Sequence, residues 1–94
     1  MIELKTPSEI VKMTVIKVEE LRRKKKITQK NFAKKAGMAY GTYRAFIDTN
    51  IISFENLISL YQVLGLYSDI DTFVSIKTTK TIQELKDEDK ARRG

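Results

Sequence analysis

Apolar residues recur at helical spacing in five successive stretches of this chain, each bounded by turn or capping residues. Pro7 and Ser8 open the first. Pro7 suits a first helical position because its missing N–H would be unpaired there anyway, and Glu9 in the first turn complements the helix dipole. Val11, Val15, Val18 and Leu21 then share one side, with Ile10 and Ile16 alongside, and the helix should end near Lys25. A second helix is predicted from Thr28 to Ala36, capped by Thr28 and ended by Gly37. A third runs from Ala39 to Ile47 and turns its Tyr43 and Phe46 inward. Asp48-Thr49-Asn50 follows as a turn in which Asn50 can take a positive φ. Ser53 caps a fourth helix carrying Leu57, Ile58, Leu60, Tyr61 and Leu64, and Gly65 stops it. Ser68 is expected to cap a short fifth helix holding Ile70, Phe73 and Val74.

Past Val74 the pattern fades. The string SIKTT is β-prone, with Ile76 its only bulky apolar residue. Thr81 to Glu84 matches a capping box, which allows a brief helix TIQEL. The last residues, KDEDKARRG, have almost no apolar content to bury, so disorder is expected. The chain therefore reads as one all-α domain of five helices over residues 1–74 and a short β-prone or helical extension over 75–94, partly disordered.

Composition narrows the chemistry. Ninety-four residues, 41% of them hydrophobic, suffice for a single core. There is no cysteine and no histidine, which removes disulfides, thiolate chemistry and the commonest general base and transition-metal ligand. No metal or cofactor is expected. No apolar run approaches the roughly 20 residues that span a bilayer, and MIELKTPSEI has no signal-peptide core, so a cytoplasmic protein is expected. The net charge of +6 favours an anionic partner.

That charge is unevenly placed. From Arg22 to Arg44 every charged residue is basic, whereas between Arg44 and Lys77 the only charged residues are Asp48, Glu55, Asp69 and Asp71. The basic interval overlaps ITQKNFAKKAGMAYGTYRAFID, residues 27–48, which reads as two short helices around the Gly37 turn. This is the layout of a DNA-binding helix-turn-helix, with the motif at about 28–47. The first three helices should build the nucleic-acid face, and helices four and five the core and a partner surface.

From Val18 to Phe73 the chain resembles the Xre/Cro/phage-repressor helix-turn-helix family. The likeness rests on Val18 and Leu21, Ile27-Thr28-Gln29, Phe32-Ala33, Gly37, Thr42-Tyr43, Phe46, then Ser53, Leu57, Leu60, Leu64 and Gly65. It implies a lambda-repressor-like five-helix DNA-binding domain that pairs as a homodimer on a palindromic operator. The strings YGTYRAF and IISFENLISLYQVLGLYSDIDTF further resemble a subgroup of small regulators paired with HipA-type kinase toxins, the HipB-like antitoxins. Two positions and one loop depart from the family pattern. Lys26 stands where a glycine is usual, so the first turn should be strained. Ile47 replaces a glutamate that in relatives pairs with the arginine matched by Arg22, which would free Arg22 for phosphate or for Asp48. The loop Asn50-Ile51-Ile52 lacks the basic residue that relatives use on phosphate.

In this reading the third helix presents Ala39, Tyr40, Gly41, Thr42, Arg44 and Ala45 to the major groove, which such helices enter through their N-terminal part. Arg44 can fork onto guanine O6 and N7, or serve as a solvent or phosphate arginine. Tyr40 can meet a thymine methyl or a phosphate, or be a packed surface aromatic. Gly41 costs helix stability, which close approach to DNA or a merely tolerated substitution would explain. Thr42 can reach phosphate or bond back within its helix. Gln29 matches the family residue that touches the backbone and sometimes a base. Arg22, Arg23, Lys24, Lys25, Lys26 and Lys30 are the phosphate candidates, against the ordinary reading of a solvated charged face. Ile70, Phe73 and Ile76 are the candidate dimer joint, against the ordinary reading that the apolar residues of helices four and five simply fill the core. The leading function is a sequence-specific repressor, the autoregulating antitoxin of a HipA-like toxin–antitoxin operon. The alternatives are a stand-alone phage-type repressor and a protein-binding adaptor on the same fold. An enzyme is disfavoured: Glu19, Glu20 and Asp87 to Asp89 fall on a helix exterior or in the tail, without metal-binding spacing.

Overall fold

The computed structural model describes residues 5–75 together with 86 and 87. Among these residues there are five α-helices and no strand: α1 (Pro7–Lys24), α2 (Gln29–Lys35), α3 (Tyr40–Thr49), α4 (Phe54–Val63) and α5 (Tyr67–Val74). The all-α expectation holds for them. Ile76, the capping box at 81–84 and most of the final segment lie outside the described residues. Lys86 and Asp87 have helical backbone.

The helix starts follow from side-chain oxygens. Thr6 caps α1. Its hydroxyl accepts from the Glu9 N–H at 3.1 Å, while the Glu9 carboxylate accepts from the Thr6 N–H at 3.3 Å. This reciprocal capping box satisfies two otherwise free donors. Thr28 and Ser53 cap α2 and α4 by accepting from the N–H groups of Asn31 and Asn56. The expected Ser68 cap is not formed. Leu66 is the N-cap of α5, without a side-chain bond, and Ser68 lies inside the helix. The reason is the abrupt end of α4, which leaves only Leu64–Leu66 as a connection.

Three helix ends share one device. After α1, α2 and α4 the residue beyond the cap takes a left-handed conformation: Lys26 at φ 57°, Gly37 at 76° and Gly65 at 73°. In each case its N–H and the next one fold back onto orphan carbonyls. At the α2 end, Gly37 donates to Lys34 and Met38 to Ala33, both at 3.0 Å. This is the Schellman arrangement. Glycine suits it because no Cβ meets the following carbonyl. Lys26 adopts it nonetheless, so the strain expected of a non-glycine at this turn is present. Asn50, at φ 60°, ends α3 in the same left-handed region, as its residue type suggested.

The core is small and aromatic. Val18, Phe32, Tyr43, Phe46 and Leu60 are fully buried, with Val15, Ala33, Tyr61 and Leu64 completing the cluster. α2 packs on α3 and α4, and α4 packs on α5. Phe32 meets the Tyr43 ring edge to face, centroids 5.3 Å apart, which fixes the α2–α3 crossing through a favourable ring quadrupole contact. Not every apolar position of α1 reaches this core: Val11, Met13 and Ile16 remain exposed. No helix among the described residues is long and apolar enough to cross a membrane.

Candidate nucleic-acid interface

Burial of Tyr43 and Phe46 fixes the rotation of α3 about its axis. The helical period then turns the opposite side outward. Tyr40, Gly41, Thr42 and Ala45 are exposed, as is the N-cap Ala39, and Arg44 is partly so. The face expected from sequence is therefore assembled on one side of one helix. It also contains Asp48, one turn beyond Arg44.

α2 contributes the neighbouring groups. The Lys30 ammonium lies 5.6 Å from the centroid of the Tyr40 ring, a cation–π contact that joins the start of α2 to the start of α3. Gln29 lies beside Arg44: its Oε1 accepts from Arg44 Nη1 at 3.1 Å. Arg44 Nη2 in turn pairs with Asp48 Oδ1 at 3.2 Å. The guanidinium is thus held between two acceptors from two helices, rather than projecting alone.

Behind this surface is a buried carboxylate that sequence reasoning placed on the helix exterior. Glu19 is only 7% exposed. Its Oε2 accepts from Arg22 Nε at 2.7 Å and from the Tyr43 hydroxyl. Its Oε1 accepts from Arg22 Nη2 at 3.1 Å and from Gln29 Nε2 at 2.9 Å. Burial alone would raise its pKa, but the hydrogen bonds from Arg22, Tyr43 and Gln29 outweigh burial and hold it at about 2. The Tyr43 phenol moves the other way, pushed well above its ordinary value by burial and then by the adjacent carboxylate.

Arg22 must be reassigned accordingly. The absence of a glutamate at Ile47 does not free it for phosphate or for Asp48. Its side chain is buried, doubly bonded to Glu19 and also donating to the Ile27 carbonyl. Glu19, one turn earlier on the same helix, supplies the partner that Ile47 cannot. The remaining phosphate candidates, Arg23, Lys24, Lys25, Lys26 and Lys30, are all exposed. The proposed dimer residues divide. Ile70 is half-buried against the core, whereas Phe73 is half-exposed and stacks near Phe54 and Tyr61, with centroids 5.6 and 5.8 Å away. A second apolar surface, unsuspected from sequence, is a groove of about 340 Å³ lined by Val11, Phe46, Ile51, Ile52, Phe54 and Leu57.

The burial of Glu19, the pairing of Asp48 with Arg44 and the groove are the features that the sequence did not single out. The first had a signal in hindsight: Glu19 precedes Arg22 by three residues and follows Val18 on the buried stripe. Compared with known proteins, the chain matches no family model, no curated protein and no solved structure.

Proposed function

We propose that this protein is a sequence-specific, double-stranded DNA-binding repressor with a lambda-repressor-like helix-turn-helix, working as a homodimer. The observation that carries this reading is the exposed face of α3. It offers a glycine, small side chains and one forked arginine, and α2 and the end of α1 flank it with exposed cations. A helix surface of small residues permits close approach to base edges, and an arginine is the commonest specific reader of guanine. Arg23, Lys24, Lys25, Lys26 and Lys30 supply the sequence-independent attraction to phosphate. α3 enters the major groove, and two copies place their α3 helices about 34 Å apart on a palindromic operator.

The test is binding-site selection from a randomised duplex pool, followed by titration across salt. Five exposed cations per subunit put a dimer at about 6–10 phosphate contacts, for which affinity should drop about 10³–10⁵-fold between 50 and 200 mM salt. Binding that is flat across salt, or equal for all sequences, would overturn the reading.

In its finer form the chain represses its own operon as the antitoxin partner of a HipA-like kinase. The family likeness motivates this, and the charge split supports it: the back half lacks Lys and Arg from Ala45 to Ile76 and exposes Phe54, Tyr67, Phe73 and Val74. Exposed aromatic and apolar surface of this kind favours a protein contact. The same surface also fits the second reading, an adaptor that binds only protein. Salt-dependent operator binding distinguishes the two. Co-expression with an adjacent kinase gene product, followed by size exclusion, decides the antitoxin role.

A further inference from the structure

We propose that Gln29 and Asp48 are positioning residues that aim Arg44 at a guanine-containing base pair, with the buried Glu19 setting the polarity of the chain of hydrogen bonds that reaches it. This inference rests on the DNA-binding reading above and names which base that site selects.

The argument is one of donors and acceptors. An ionised carboxylate has no hydrogen to give, and a guanidinium has no acceptor. Gln29 sits between one of each. Its Nε2 must therefore face Glu19, at 2.9 Å, and its Oε1 must face Arg44, at 3.1 Å. The reverse orientation would set NH₂ against guanidinium and carbonyl against carboxylate. Glu19 is itself anchored by Arg22 and Tyr43, so this end of the chain does not turn. Two consequences follow for recognition.

Gln29 is a poor adenine reader while this chain holds, because bidentate contact with adenine requires the amide to swing its donor and acceptor edge outward, and that edge is tied to Glu19 and Arg44 by one N–H and one oxygen lone pair. Here Nε2 is held toward the buried carboxylate. The base-reading role falls to Arg44, which uses two of its five N–H groups on Gln29 and Asp48 and keeps three for a ligand. Asp48 adds a second constraint. A carboxylate 3.2 Å from Nη2 repels a phosphate that would otherwise be the easiest anion for this arginine to take. Guanine presents two neutral acceptors, O6 and N7, and meets far less repulsion than a full anionic charge. The pair of supports thus biases a general anion binder toward one base edge.

The experiment uses the full chain and duplexes enriched from the randomised pool. Competition titrations compare each base at every operator position for the wild type, Arg44→Ala, Gln29→Met and Asp48→Asn. Arg44→Ala should erase a guanine preference at one base-pair position per half-site. Gln29→Met, of similar length but without the amide, should reduce the preference at that same position about tenfold and leave the other positions and the salt slope unchanged. Asp48→Asn lies on an exposed helix face, so it keeps the fold. It should weaken the same guanine preference and raise affinity for unrelated duplex. ¹⁵N relaxation at the Arg44 Nε, measured without DNA, should report a more mobile side chain in both variants. If the wild type enriches no sequence, the DNA-binding reading fails and takes this one with it. If Arg44→Ala alters one position but Gln29→Met and Asp48→Asn alter none, or alter all positions equally, the positioning roles are wrong and DNA binding stands.

Discussion

Replacing Glu19 with glutamine should cost far more than a surface ion pair is worth, and the cost should vanish in acid. Each carboxylate oxygen faces two donors: Arg22 Nε and the Tyr43 hydroxyl at Oε2, Arg22 Nη2 and Gln29 Nε2 at Oε1. Whichever way an amide turns in Glu19→Gln, its NH₂ meets two of them. The charge on Arg22 is left buried without its counterion, which is the costly half of breaking a buried pair. The carboxyl pKa gives the magnitude. It falls from the usual 4.5 to about 2 in the folded chain, and the difference corresponds to about 3 kcal/mol at pH 7. Because the folded value is depressed, this stabilisation is complete above about pH 4.5 and is lost as pH falls through 2. Linkage leaves about 1.5 kcal/mol at pH 3 and about 0.4 kcal/mol at pH 2. Urea unfolding followed by circular dichroism, on the wild type and Glu19→Gln between pH 7 and pH 2, measures the gap directly. At neutral pH the melting temperature should fall by about 12–24 °C for a domain of this size. A loss under about 1 kcal/mol at pH 7, as for an exposed pair, or a gap that stays constant down to pH 2, would refute the reasoning.

Other outcomes are expected from single positions. Lys26→Gly should stabilise the fold by about 0.5–1 kcal/mol in urea titrations, since relief of the left-handed strain exceeds the added entropy of the unfolded chain. Gly41→Ala should raise stability by about 1 kcal/mol, because Gly41 lies within α3 and an added Cβ meets nothing within 4 Å; if α3 lies close against DNA, the same change should weaken operator binding in gel-shift titrations. Tyr43→Phe should cost about 1–3 kcal/mol in thermal or urea melts by removing a buried donor from Glu19. Lys24→Ala should weaken all duplexes about equally and reduce the slope of log affinity against log salt by about 1.

Much of the architecture was legible along the chain because its signals are local. Helical periodicity, Thr28 and Ser53 as caps, Gly37 and Gly65 as stops, and Asn50 in a left-handed turn each depend on a residue and its near neighbours. The outward side of α3 followed as well, since burying Tyr43 and Phe46 leaves one rotation for Tyr40, Gly41, Arg44 and Ala45. What the sequence could not decide was which polar groups would meet. Glu19, Gln29 and Arg44 come from three helices and are ten and fifteen residues apart in successive steps. No periodicity encodes such a meeting, and only the packing of α1, α2 and α3 around Phe32 and Tyr43 brings it about. Arg22 illustrates the limit: by type and position it belongs to the basic run, yet the side of α1 on which it falls turns it inward to a buried carboxylate. Charge along a chain states what is present, but burial decides which charges remain available to a ligand.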